Sequence, residues 1–172
     1  LPIAAGAHAS LAHTLYAMGK YVPAIIELKH AWKSRDPDVE ELLLSGQAYL
    51  AQRLFAEAEE RVREALALDA ANPAAVADLG GILYLQNRFD ELEKLLSTVS
   101  REAIENAAFL SNLEGHLLAW KGLHAEAAGA YLRAASRAET QGLFFLHAGI
   151  EYDATGLKDE AIAAWLEAAR VF

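Results

Sequence analysis

Six histidines, His8, His13, His30, His116, His124 and His147, are the side chains best suited to proton transfer or metal ligation near neutral pH. None stands four residues from another histidine with the glutamate that a helical zinc site requires, and H-E-x-x-H is absent. The pair most worth weighing is His116 and His147, with Asp153 one to two helical turns beyond. If neighbouring helices bring them together, they become either a metal-binding cluster or the polar lining of a groove. A metal site wants three or four converging ligands, so the lining is the better reading. A catalytic His116–Asp153 pair lacks a nucleophile or cofactor motif beside it. There is no phosphate-cradling G-x-x-x-x-G-K and no G-x-S-x-G, since the glycines stand in isolated turns and helical contexts. Zero Cys removes disulfides, thiolate catalysis and cysteine-bound zinc, and leaves the compartment open, cytoplasmic or periplasmic. The expectation is a chain that is no enzyme, with no catalytic residues, no metal and no cofactor.

Charge narrows the partners. The formal net charge is −9 and no basic cluster occurs. Phosphate contacts need Lys and Arg gathered on one face, so no nucleic-acid partner is expected, nor attraction to an anionic membrane surface. No apolar run approaches the eighteen or so residues that span a bilayer, so this segment should not insert directly into a membrane. The run Glu57-Ala58-Glu59-Glu60-Arg61-Val62-Arg63-Glu64 reads as a solvated helix face, its Glu and Arg partners three and four residues apart.

The elements that position these groups repeat. Small residues in similar apolar contexts recur at Ala12, Gly46, Gly80, Gly115 and Gly149, at spacings of 34, 34, 35 and 34. Ala24, Ala58, Leu92, Ala127 and Ala161 follow the same register, as do Ala31, Ala65, Val99, Ala134 and Ala168. Three columns in one register mark a repeat protein of 172 residues rather than Ala-rich composition alone. Each repeat holds two apolar stretches of helical period joined by a short turn. The turns are Met18–Tyr21, Gln52–Phe55, Gln86–Phe89, Lys121–His124 and Thr155–Lys158. Gly or Asn there suits the left-handed residue that ends a helix; Arg53 is the exception and predicts strain or a different turn. The small residues let two antiparallel helices approach closely. Larger residues four further on, Leu28, Val62, Leu96, Tyr131 and Trp165, are expected to fill the space between pairs. Leu92 and Val99 are bulky departures in the third repeat, Gly80-Gly81 thins its first helix, and one extra residue lies near Val99–Asn106.

With these columns in place the chain resembles the tetratricopeptide-repeat (TPR) family, whose pattern runs W-x2-L-G-x2-Y, A-x3-F, A, P. The best matches are Gly46, Tyr49, Ala58, Val62 and Ala65, then Phe145, Gly149, Tyr152, Ala161, Trp165 and Ala168. Ser45 and Glu114 stand where the pattern has Leu, and its closing Pro is present as Pro37, shifted by one, and as Pro73 only. Pentatricopeptide repeats have a similar period but demand a basic RNA groove, and Sel1-like repeats are less regular. The resemblance implies an all-α fold, an α-solenoid of about five helix-turn-helix repeats, ten helices in a right-handed superhelix. One array over residues 1–172 is expected, with repeats at about 5–38, 39–72, 73–107, 108–141 and 142–172, in a segment of a longer chain.

The resemblance also implies where function lies: the first helix of each repeat lines a concave groove that contacts peptide. Carried over residue by residue, the peptide-binding candidates are His13, Tyr16, Gln47, Tyr84, Phe109, Asn112, His116, Trp120, His147 and Asp153, beside Ala9, Glu40, Leu43, Leu50, Ala77, Gly81, Leu146 and Ile150. None of them is Lys or Arg, so the clamp with which some members hold a C-terminal carboxylate is missing. The expected function is a non-catalytic protein–protein interaction scaffold that binds a peptide or helix of a partner protein, in the manner of a bacterial complex-assembly factor. The alternative is the TPR segment of a larger enzyme or exporter, of glycosyltransferase or polysaccharide-export type. Self-association through the uncapped C-terminal helix is a further expectation.

Overall fold

The computed structural model describes residues 4–138 and 141–171, and among them all regular structure is helical. Eleven helices follow one another: α1 (Ala5–Ala17), α2 (Tyr21–Ala31), α3 (Val39–Ala51), α4 (Phe55–Leu68), α5 (Pro73–Leu85), α6 (Phe89–Ser97), α7 (Arg101–Asn106), α8 (Ala108–Trp120), α9 (His124–Arg137), α10 (Gly142–Ala154) and α11 (Lys158–Val171). Among the described residues the expected ten become eleven because α6 stops at Ser97, before the third small-residue column reaches Val99. Ser100 then accepts a hydrogen bond from the Ala103 N–H and starts α7 where the one-residue insertion lies.

The five turns share one geometry. Gly19, Arg53, Asn87, Gly122 and Gly156 take φ of 72°, 60°, 58°, 75° and 78°. The next residue sends its N–H back to a carbonyl five residues earlier, as from Lys20 to Leu15, Leu54 to Tyr49 and Leu123 to Leu118, at 2.8 to 3.0 Å. This left-handed cap satisfies the orphan carbonyls of the first helix and turns the chain into the second. Arg53 therefore adopts the strained conformation and not a different turn, its guanidinium 5.7 Å from the Phe55 ring centroid.

The chain divides into two compact units, residues 1–82 and 83–172, with the division inside α5. In the first, α2 packs on both α1 and α3, and α4 on α3. Ala12, Leu28 and Leu44 form a buried cluster there, covered in part by Tyr16 and Trp32. The linker into α3 is pinned by Glu41, which is 2% exposed. Asp38 accepts from the Glu41 N–H at 2.9 Å while the Glu41 carboxylate takes hydrogen bonds from Arg35 and from the Trp32 indole. In the second unit, α9 packs on α8 and α10, and α11 on α10. Its cluster is Ala127, Ala128, Tyr131, Ala148 and Ala164.

The second-helix column Ala24, Ala58, Leu92, Ala127 and Ala161 is fully buried. The larger residues, expected to fill the space between pairs, also cover the small residue of their own pair. A Cβ on Gly46 would lie 2.9 Å from Val62 Cγ2, and one on Gly115 would lie 2.6 Å from the Tyr131 ring. Trp165 sits against Gly149 in the same way. Side chains in a helix lean toward its N-terminus, so a residue one turn past the small Ala reaches back over the glycine of its own pair. Two of them show both contacts: Leu28 meets Ala12 of its own pair and Leu44 of α3, and Tyr131 meets Gly115 of its own pair and Ala148 and His147 of α10.

Candidate interaction surface

In the first unit, α1 and α3 bound an open pocket of about 440 Å³ lined by His13, Tyr16, Ala17, Glu40, Leu43, Leu44 and Gln47. Three of the expected residues, His13, Tyr16 and Gln47, thus meet at one place. The Tyr16 ring lies edge-on to Tyr21, centroids 5.5 Å apart. The Gln47 Nε2 donates to Asp78 Oδ2 of α5 at 2.8 Å. Burial pushes the Asp78 carboxyl up from the usual carboxylate range, opposed by the Gln47 hydrogen bond. Burial, then Tyr21, then Asp78 push the Tyr16 hydroxyl up. Asp78 is absent from the residues that sequence reasoning singled out. The signal that finds it is plain: it is the one charged residue in the apolar helix Pro73–Leu85.

In the second unit the expected residues form an aromatic ladder. Tyr84 stacks on His116 with centroids 4.0 Å apart and an interplanar angle of 18°. His116 Nδ1 and the Tyr131 hydroxyl share a hydrogen bond of 2.8 Å. His147 stands 5.3 Å from His116 and 5.1 Å from Tyr131, ring to ring. Beside them Phe89 stacks on Trp120 at 5.1 Å and 11°, and Tyr84 meets Phe89 edge-on. Tyr131 and Phe89 complete this ladder from the second helices, which first-helix reasoning could not supply. Asn112 is half-buried, and its Oδ1 and the His147 Nδ1 are buried with no hydrogen-bond partner among the described residues. Phe109 and Asp153 are exposed at opposite helix ends and outside these ring contacts.

Burial, with His147 second, pushes His116 down to about 4. Burial pushes His147 down as well, opposed by Glu151. Burial pushes the Tyr131 hydroxyl far up, helped by Glu151 and Tyr84. The cluster is therefore uncharged at neutral pH, with one imidazole nitrogen of His116 committed to Tyr131. Such an arrangement offers stacking faces and hydrogen-bonding edges, not a proton relay. Among the described residues no group of three or more His, Cys, Asp or Glu could hold a metal ion.

The acidic helix face has the expected pairing: Arg63 with Glu59 at 2.6 Å and Arg61 with Glu64 at 2.8 Å. Two pairs that sequence spacing could not show join separate helices, His8–Glu27 at 2.6 Å and His124–Glu151 at 2.7 Å, ionic when the imidazole is protonated. Glu114, in the place of the pattern's Leu, receives both Arg101 and Arg133 and ties α8 to α7 and α9. Among the described residues no helix is long and apolar enough to cross a membrane.

Left-handed caps, glycines overlaid by the second helix and side-by-side first helices define a helical-repeat protein, an α-solenoid. Residues 49–113 match the tetratricopeptide-repeat family model. The chain is also 45% identical over 170 residues to a TPR repeat-containing protein of Treponema pallidum (strain Nichols), covering 99% of this chain and 21% of that protein. Tetratricopeptide repeats are thus present in the chain, which spans about a fifth of the length of that relative. Solved structures share the fold. A crystal structure of MamA aligns with TM-score 0.74 at 23% identity, covering 92% of each chain. MamA from Desulfovibrio magneticus RS-1 gives 0.80 at 16%, covering 97% of this chain and 94% of that one. A thermophilic TPR protein of Thermus thermophilus gives 0.73 at 21%, covering 98% and 91%.

Proposed function

We propose that the chain is a non-catalytic scaffold that binds an extended peptide or a helix of another protein on the first-helix faces of its repeats. TPR folds generally serve protein–protein interaction. The observation that carries this reading is the ladder Tyr84–His116–His147 with Trp120 beside it: neutral, aromatic, and 51% exposed at Trp120. Large rings with a polar edge supply contact area at little cost in side-chain entropy. The acidic composition and the lack of Lys and Arg at these positions favour an apolar or mildly basic ligand over nucleic acid or an acidic tail. Treating residues 1–172 as one array is part of the proposal, as is a role in assembling a bacterial complex.

A peptide array followed by titration calorimetry at two salt concentrations tests it. Binding should depend weakly on salt, weaken strongly in the Tyr84→Ala, Trp120→Ala double variant, and be indifferent to Glu59→Gln and Glu60→Gln. Tight binding of Asp- and Glu-rich peptides, lost at high salt and indifferent to Trp120, overturns it. A second reading, the TPR segment of a larger enzyme or exporter, draws on the 21% coverage of the relative. Deleting the segment from the full-length gene product and assaying glycosyl transfer or export would separate the two. Self-association draws on the exposed Ile162 and Leu166 of α11, 53% and 65%; light scattering of the Ile162→Glu, Leu166→Glu variant tests it.

A further inference from the structure

The Asp78 carboxylate is half-buried and has lone pairs to spare. A carboxylate offers about four lone-pair sites, and the single hydrogen bond it receives here comes from the Gln47 amide. Among the described residues no Lys, Arg or His pairs with it. A partly desolvated acid in this state destabilises the fold unless something compensates. Gln47 links this carboxylate to the pocket that Gln47 itself shares with Tyr16 and His13. Glu40 stands at the lining, Asp78 is one hydrogen bond away through Gln47, and no Lys or Arg lines it. Leu43, Leu44 and Ala17 supply an apolar wall, and Tyr16 an aromatic one.

We propose that this pocket takes an arginine side chain of the partner peptide, its guanidinium paired with the Asp78 carboxylate. The inference rests on the scaffold reading above and names the chemistry that one of its sites recognises. An arginine stem is apolar and lies along Leu43 and Leu44 while the charged head reaches the acid. The planar fork suits a carboxylate that still has free lone pairs, and it can stack on the Tyr16 ring. Lysine, a point charge on a more strongly hydrated head, fits the same site less well. Burial has raised the affinity of Asp78 for a proton; an entering cation competes for that same charge.

The probe is a set of acetylated dodecapeptides, each carrying one arginine among aliphatic residues, paired with copies in which citrulline replaces it. Citrulline keeps the shape and removes the charge, so the comparison does not depend on any variant folding. Affinity for arginine peptides should exceed that for citrulline peptides by about tenfold. The preference should shrink to about twofold or less in Asp78→Asn, whose thermal midpoint should be no lower than that of the parent chain because a half-buried, unpaired charge is gone. Side-chain signals of Tyr16 and Gln47 should shift on titration. Equal affinity for the two peptide sets, or a preference that survives Asp78→Asn, overturns the pocket assignment. If peptides bind without charge preference yet depend on Trp120, the arginine pocket falls and the scaffold stands. If neither this set nor the array binds at all, both fall.

Discussion

Equivalent positions of the repeat do opposite things in the two units. Tyr16 and Tyr84 share one column, two repeats of 34 residues apart, and Gln47 and His116 share another. In the first unit Tyr16 borders an open pocket and Gln47 reaches a carboxylate on α5. In the second, Tyr84 closes on His116, and His116 is held by Tyr131. The difference originates in the second helix. Gly46 is overlaid by Val62, which has no polar atom to offer the first-helix face; Gly115 is overlaid by Tyr131, whose hydroxyl reaches through to His116. One residue behind the face decides whether the groups on it are satisfied internally or left to find a partner.

Removing the overlay should therefore cost the two units differently. Tyr131→Ala should lose about 3–5 kcal/mol, as deletion of a buried aromatic does. Val62→Ala should lose about 1.5 kcal/mol, by the two carbons removed. Tyr131→Phe keeps the ring but leaves His116 Nδ1 unpaired, for about 1–3 kcal/mol. Urea unfolding of the three variants tests the order, and equal losses for Tyr131→Ala and Val62→Ala would break the comparison.

The closest helix contacts should be alike in both units. Ala58 and Ala127 are both 0% exposed. Ala58→Leu and Ala127→Leu should each destabilise by about 1–3 kcal/mol through overpacking. A neutral Ala58→Leu in thermal unfolding would mean that this column is not a tight contact.

Mild acid should act on the second unit through His116. His116 has a folded value pushed down to about 4, against roughly 6.5 when unfolded. Between those values the unfolded chain binds a proton that the native ring refuses, so stability is full above about 6.5 and falls as the pH drops toward 4. The groups facing His116 are Tyr84, Tyr131 and His147, and Glu151 acts on the latter two. One such proton sets a ceiling of about 1.4 kcal/mol per pH unit, reduced by the solvent that still reaches the ring. His116→Gln should flatten the slope of stability against pH in this window. An unchanged slope would show that His116 is not desolvated.

The repeat and helix pairs were legible because each rests on a local rule: a spacing of 34, a left-handed turn residue, a small residue wherever helices touch. The extra helix α7 was visible only as one inserted residue, since nothing in Val99 itself announces that α6 has already ended. Of the candidate residues, His116, His147, Tyr84 and Trp120 join one ladder, and His13, Tyr16 and Gln47 meet at one pocket. Asp78 and Tyr131 escaped for different reasons. Asp78 occupies the register of Ser10 and Leu44, so column reasoning passed over it although its charge is isolated in an apolar helix. Tyr131 stands in a column that gives its size and not the direction of its hydroxyl.

The smallest expected effect separates two turns that the backbone treats alike. Arg53 and Asn87 both cap their helices with positive φ, at 60° and 58°. A left-handed conformation costs an ordinary L-residue roughly 1–2 kcal/mol, and Asn less because its short amide bonds locally. Glycine removes that strain but adds backbone freedom to the unfolded chain, returning part of the gain. Arg53→Gly also gives up the contact with Phe55, about 0.5 kcal/mol at an exposed site. Arg53→Gly should thus stabilise by about 0.5 kcal/mol, and Asn87→Gly should be nearly neutral. Paired thermal melts of the two variants read this difference. A destabilised Arg53→Gly would mean that the guanidinium–ring contact outweighs the backbone strain, and that this turn, unlike the other four, is held by its side chain.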